Sequence, residues 1–506
     1  MFARVLTAVV TGIDAAIVEV QCDVAGGLPG FHIVGLPEKE VSESRERIRS
    51  AIRNSGYDFP ARRITANLAP ADLRKEGVGF DLPIALGILA ASGQIPEISE
   101  RWAVVGELGL DGEVRAVRGA LPIVLAAAAA GRDGVIVPES SAGEAALVDG
   151  IDVRPVGGLT AAASFLAGTL EIPSFDGSDA GSLVDDSGSP ELDLAEVKGQ
   201  EMAKRALEIA AAGGHNLLMI GPPGSGKSLL ARCVPGILPA LRLPEALDVT
   251  RIYSIAGLVD GRRPLVARRP FRAPHHTISY AGMAGGGHGV PGPGEITLAH
   301  HGVLFLDELP EFDRRVLATL RQPLEDRTIL LSRAGVSIRY PASFTLIAAM
   351  NPCPCGHLGD HVKPCSCAPH DVRRYRKRLS GPFLDRIDLF VEVPRLSAEE
   401  LMARPAGEGS VPVRERVEAA RGIQEERMRK PGAGLTNAVL RPSDLRLHCR
   451  LDGAARTLLQ AAITRFALSG RGYARILKVA RTIADLAGAT EIGAEHLAEA
   501  LQYRAP

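Results

Sequence analysis

Residues 216–220, NLLMI, run directly into GPPGSGKS at 221–228, and this junction of a short apolar strand with a glycine-rich turn constrains the fold more than any other segment. Gly221, Gly224 and Gly226, with Pro222, Pro223 and Ser225 between them, let the backbone curl so that several N–H groups point inward at an anion. A helix beginning at Lys227 adds its positive amino end to the same site. There Lys227 reaches the β- and γ-phosphates of a nucleotide, and the Ser228 hydroxyl ligates Mg²⁺. A chance glycine turn is the alternative reading, and the strand before it and helix after it oppose that. Strand, loop and helix in this order are one step of a parallel sheet whose carboxyl edge carries the loop.

A second apolar strand, VLFL at 303–306, ends in Asp307 and Glu308. By itself such an end is more often a solvated acidic turn. Beside the phosphate loop, Asp307 holds the metal's water shell and Glu308 polarises an attacking water. A third strand, TLIAAM, ends at Asn351, a neutral amide able to orient that water without neutralising the base. Arg386 in SGPFLDRID and Arg471 at a helix start are candidates for stabilising charge on a transferring phosphoryl group, one supplied by a neighbouring subunit. A surface arginine paired with an acid is the plainer reading of each.

The chain has 506 residues, enough for two to four domains. Lys plus Arg, 58, nearly cancel Asp plus Glu, 59, so any nucleic-acid contact must come from a local patch rather than from overall charge. The basic stretches 262–272 and 373–378 read equally as phosphate-tracking surfaces and as solvated charged faces. The apolar start of the chain is broken by Thr11, Gly12 and Asp14, which suits a strand and not a signal peptide. No uninterrupted apolar run reaches membrane-spanning length, so a soluble, cytoplasmic protein without membrane contact is expected.

Residues 1–172 alternate β-branched runs with helical stretches and read as a mixed α/β domain. Residues 173–191 are rich in Gly, Ser and Asp and read as a flexible linker. Strands and helices alternate again over 192–396, and only helical spacing remains over 397–506. Within the third segment Cys353, Cys355, Cys365 and Cys367 form two C-x-C pairs in an insertion at 353–367. Two thiolate pairs separated by a short loop can wrap a tetrahedral Zn²⁺, although C-x-C is tighter than the usual knuckle. Four reduced thiols in a surface loop are the alternative. Cys22, Cys233 and Cys449 stand alone and suit small core positions.

In sequence order the motifs GPPGSGKS, RPFRAPHHTISYAGMAGGG, PGEITLAHHGVLFLDELPEF, LIAAMNPCPCG, SGPFLDRIDL and RGYARILKVARTIADL resemble the AAA+ clade of magnesium chelatase subunit I. More closely, they resemble its bacterial YifB/ComM group. The resemblance covers nearly the whole chain apart from the linker. It implies an AAA+ core with a doubly wound parallel sheet and a C-terminal helical lid, binding ATP and Mg²⁺. It also implies that Lys227 and Ser228 are Walker A, Asp307 and Glu308 Walker B, Asn351 sensor 1, Arg386 the arginine finger and Arg471 sensor 2, with Arg475 the runner-up.

NLAPADLRKEGVGFDLPI from residue 67 and VVGELGLDGEVRAVRGALPI from residue 104 are similar to the proteolytic domain of Lon-type proteases, a fold shared with a ribosomal protein domain. At the positions of that family's serine and lysine stand Gly79 and Leu121, so serine–lysine proteolysis is excluded. The domain then reads as a module for assembly or DNA handling. The resemblance further implies a homo-oligomeric, hexameric ring acting on branched or single-stranded DNA, as a helicase that drives branch migration of recombination intermediates in natural transformation. A magnesium-chelatase motor subunit and a protein-remodelling ATPase are the other classes that fit such an engine.

Overall fold

The computed structural model describes residues 1–177, 192–287, 290–333, 336–402, 407–428 and 436–505. The expected linker lies outside the described residues from 178 onward. Just before that point the Phe175 N–H donates to the carbonyl of Val153 at 2.9 Å.

The first sheet has seven strands: β1 (Phe2–Thr11), β2 (Asp14–Ala25), β3 (Gly30–Val34), β4 (Arg63–Ala69), β5 (Trp102–Val104), β6 (Gly134–Pro138) and β7 (Asp152–Val156), in the order β3-β4-β2-β1-β5-β6-β7. What the sequence suggests is one opening strand is a hairpin, β1 and β2, turning at residues 12–13. Val-rich alternation in both strands puts Val5, Val9, Val18 and Val20 into one core with helix α1 (Lys39–Asn54) and the almost wholly buried α2 (Asp81–Ala91). Helix α3 (Ala120–Ala129) lies on the opposite face of the sheet, in a core with Val135, Val137 and Val153.

The second sheet carries the phosphate loop. Helix α4 (Glu201–Gly213) leads into β8 (Leu217–Ile220), followed by α5 (Lys227–Ile237) and α6 (Leu243–Ala256). Strands β9 (Phe271–Arg272) and β10 (Val303–Leu306) come next, then the hairpin β11 (Thr328–Arg333) and β12 (Val336–Pro341). Strand β13 (Thr345–Met350), α7 (Pro369–Arg376) and β14 (Leu389–Glu392) complete the unit. The sheet order is β9-β10-β13-β8-β14, and every pairing is parallel. Short continuous apolar runs suit it because each strand is covered on both faces. One core lies on the α4 and α5 side and another on the side of Phe312, Val316 and Tyr340.

Among the described residues no strand follows β14. Helices α8 (Ser410–Arg427), α9 (Gly453–Phe466), α10 (Gly470–Leu486) and α11 (Ala494–Gln502) pack their apolar faces onto the α4 and α5 core. Asp485, fully buried there, accepts from Arg427 at 3.0 Å, Arg481 at 3.0 Å and Asn437 at 2.7 Å.

The first sheet's unit is fastened to the second. Leu121 and Leu147 share an apolar cluster with Leu241, Ala246, Val249 and Leu265 of the α6 region. Around it Asp14 pairs with Arg251, Glu144 accepts from the Ser254 hydroxyl, and Glu76 accepts the Val290 N–H at 2.8 Å.

Candidate active site

Because β13 lies between β8 and β10, three carboxyl strand ends sit side by side. They deliver the glycine loop, the pair Asp307 and Glu308, and Asn351. In the loop Gly224 and Gly226 have φ of +76° and +94°, the left-handed region in which a side chain is strained, and Gly226 is the amino cap of α5. The buried Lys227 folds its ammonium back onto the loop, donating to the carbonyls of Gly221 at 2.7 Å and Pro222 at 2.8 Å, and to Asn351 Oδ1 at 3.4 Å. Burial lowers its pKa, and the charges of Asp307 and Glu308 partly oppose that shift. The Ser228 hydroxyl donates to Asp307 Oδ2 at 2.6 Å, which places together two oxygens of the hard kind that Mg²⁺ selects. The cradle of N–H groups, the lysine and this oxygen pair fit a magnesium nucleotide.

Glu308 is a non-glycine residue at φ +50°, a conformation that costs about 1–2 kcal/mol. Its carboxylate is half exposed and lies 3.3 Å from His276 Nδ1. His276 is a neighbour that the sequence alone does not reveal: PHHT is remote from Asp307 and Glu308 along the chain, and only the β9 crossover brings it in. Gln200 is equally unannounced. It sits below the loop at φ +61° and donates to the carbonyls of Ser225 at 3.2 Å and Pro394 at 2.7 Å.

Arg386 and Arg471 are brought together, but not to the loop. Asn216, at the amino end of β8, donates to the Arg386 carbonyl at 2.8 Å, so Arg386 stands at the sheet edge opposite the phosphate loop. Its guanidinium donates to the carbonyls of Arg321 at 2.9 Å and Pro382 at 2.5 Å and pairs with Glu325. Arg471 is exposed, 3.7 Å from Asp385, and lines the same cleft of about 500 Å³ as Arg386, Arg327 and Lys478. No residue of 221–228 lines that cleft.

Cys353, Cys355, Cys365 and Cys367 converge, with all four sulfurs within 4.8 Å of one another. The sulfurs are 3.4 Å apart for Cys353–Cys355, 3.7 Å for Cys353–Cys365 and 3.6 Å for Cys355–Cys365. A tetrahedron of sulfurs at 2.3 Å from zinc has edges of about 3.8 Å, so the set fits that ion. Backbone N–H groups of Leu358, Cys355 and Cys367 point at Cys353, Cys367 and Cys365 sulfurs at 3.3–3.4 Å, as expected around thiolates. Hydrogen bonds from the His357 and Ser366 backbone bring the Cys355 thiol down to about 5. Cys22, Cys233 and Cys449 are buried singly.

The two basic stretches differ. In 262–272, Arg269 is engaged by Glu245 and three carbonyls and Arg272 by both oxygens of Glu295, while Arg262 and Arg263 are exposed. Helix α7 and the turn after it expose Arg373, Arg374, Arg376 and Lys377 together.

Three family models match the chain. "Magnesium chelatase, subunit ChlI" matches residues 193–401, "Subunit ChlI of Mg-chelatase" residues 20–141, and "Magnesium chelatase, subunit ChlI C-terminal" residues 407–504. The chain is similar to the competence protein ComM of Haemophilus influenzae, 47% identical over 499 residues covering 98% of this chain and 96% of that one. To the protein YifB of Escherichia coli it is 46% identical over 498 residues, 98% of this chain and 95% of that one. The magnesium-chelatase 38 kDa subunit of Rhodobacter capsulatus is more distant, 26% identical over 326 residues, 61% of this chain and 85% of that one.

Proposed function

The chain belongs to the magnesium-chelatase-like AAA+ ATPases of the ComM and YifB type, and from that membership we propose a hexameric, ATP-driven DNA motor that moves the branch point of recombination intermediates in natural transformation. The observation that carries the ring is the place of Arg386, across the sheet from its own phosphate loop. A site lacking its arginine is completed when a neighbouring copy supplies one.

In this reading the backbone N–H groups from Gly224 to Ser228 and the Lys227 ammonium hold the β- and γ-phosphates, and Ser228 and Asp307 would hold Mg²⁺. Mg²⁺ held there would supply positive charge to offset that developing on the transferring phosphoryl group. Glu308 takes the role of polarising the attacking water, with His276 holding its carboxylate, and Asn351 orients that water. Arg386 and Arg471, side by side in one cleft, act on the neighbour's γ-phosphoryl. The four cysteines hold a structural Zn²⁺.

Residues 1–172 form the Lon-like unit, 192–396 the motor and 397–506 the lid. Gly79 and the buried Leu121 stand where a protease has its dyad, and the Leu121 N–H donates to Glu144 in the contact with the motor, which supports a role in assembly rather than peptide cleavage. The DNA substrate is supported by the competence role in the relative's name and by the exposed cations of residues 373–377. A motor acting on this substrate works in the cytoplasm. Among the described residues no helix is long and apolar enough to cross a membrane.

The test is ATP turnover with and without a synthetic four-way junction. Stimulation by the junction, weakened by salt, is expected. Turnover indifferent to DNA and raised by a protein partner overturns the proposal in favour of protein remodelling.

A further inference from the structure

Both ends of the cysteine cluster touch the nucleotide machinery. On the incoming side, Cys353 follows Asn351 by two residues and is completely buried. Gly356, at φ +84°, presses on the phosphate loop: a Cβ there would lie 2.6 Å from Pro223 Cδ, with Asn351 Cγ at 3.9 Å. On the outgoing side, Cys367 leads within two residues into α7. From α7 the Tyr375 hydroxyl meets the backbone of Asn351. Just beyond it, Arg378 donates to the Pro310 carbonyl at 3.1 Å and pairs with Glu311 at 2.6 Å, three residues past Glu308. The chain then runs through Leu379, Phe383 and Ile387, buried in the same core as Tyr375, and so carries Arg386.

Between these ends Asp360 pins the tip of the loop, its shielded carboxylate accepting the Val362 N–H at 2.9 Å and pairing with His357 and Arg395, each at 3.1 Å, and this holds the tip rather than the two arms. Leu358 and Val362, its larger apolar side chains, are 39% and 67% exposed, so apolar burial cannot fix the geometry of the loop. Four sulfurs within 4.8 Å of one another bring the incoming and outgoing arms of the loop together at one point.

We propose that zinc bound by Cys353, Cys355, Cys365 and Cys367 is a clamp that makes the Asn351 end of β13 and the segment from Tyr375 to Arg386 move as one piece. A shift of Asn351 on loss of the γ-phosphate is thereby passed to the arginine offered to the next subunit. This rests on the zinc reading above and gives that site a mechanical role, in which the cysteines are positioning residues for hydrolysis and not for nucleotide capture.

The experiment uses the full chain, as purified, after stripping with a zinc-selective chelator, and as Cys367→Ser and Cys367→His. Zinc is measured by elemental analysis, nucleotide affinity by titration with a fluorescent ATP analogue, and turnover by phosphate release. One zinc per chain is expected as purified. Stripping or Cys367→Ser should leave affinity nearly unchanged and lower kcat about 10²-fold, the size of effect that a 1 Å misplacement of reacting groups produces. Added zinc restores the stripped protein, and Cys367→His, which keeps a zinc ligand, retains zinc and most of kcat. Zinc present but kcat unmoved by stripping overturns the clamp and leaves the zinc reading intact. Affinity and melting temperature collapsing together with kcat also overturns it, showing a plain structural staple. No zinc, with four titratable thiols, removes the zinc reading itself.

Discussion

Mixing two inactive variants tests where Arg386 acts. Five residue steps along β8 separate Asn216 from Gly221, about 16 Å at strand spacing, and Arg386 is anchored at the Asn216 end. A guanidinium does not extend that far from its own backbone, so Arg386 serves a neighbour or nothing. Arg386→Ala alone should bind ATP and hydrolyse it about 10³-fold more slowly, and Lys227→Ala alone should fail to bind. In rings assembled at random from equal parts of both, half the subunits keep Lys227, and half of those adjoin a subunit that keeps Arg386. About a quarter of the sites are then complete, and mixed rings should recover roughly a quarter of wild-type turnover. Phosphate release measured across mixing ratios, with native mass spectrometry to establish that rings have mixed, gives the answer. Mixed rings with no recovered turnover would refute the assignment.

Glu308→Gln keeps the cradle and the Ser228–Asp307 pair, so it should hold ATP and lose at least about 10²-fold in turnover; normal turnover in single-turnover assays places the base elsewhere. Burial raises the pKa of Glu144 above its ordinary 4.5, against the pull of Ser254 and the Leu121 N–H. The folded chain therefore binds this proton more tightly than the unfolded one, and the stabilisation present below pH 4.5 is lost as pH rises through the raised value. Glu144→Gln should flatten that decline in melting temperature, and an unchanged slope contradicts the sign. Asp485→Ala leaves the buried Arg481 without its carboxylate and should cost about 3–5 kcal/mol in denaturant unfolding, with a loss below 1 kcal/mol contradicting the pairing.

What was legible in the sequence was local. The glycine loop, Asp307 with Glu308, and Asn351 each lie at a strand end, the alternation of strand and helix places those ends together, and the four cysteines announce themselves by their paired C-x-C spacing. Strands β10 and β13 could be placed because VLFL and TLIAAM are unbroken apolar runs in otherwise mixed sequence. The hairpin β11–β12 was missed although its alternating side chains signal it, and the two-residue β9 is too short to leave any pattern. His276 beside Glu308, and Arg471 beside Arg386 in a cleft apart from the loop, depend on crossovers and lid packing that no local spacing records. The same holds for the contact between the two sheets' units, where Leu121 and Leu147 look like ordinary core residues of their own domain until Val249 and Leu265 are seen against them.

The central claim is that this engine moves branched DNA, and the direct measurement is branch migration on a four-way junction with homologous arms. Purified protein with ATP and Mg²⁺ should resolve the junction into the two duplex products, and Glu308→Gln, which binds the nucleotide without hydrolysing it, should not. Wild-type protein that hydrolyses ATP in the presence of the junction and leaves it unmoved would contradict the account.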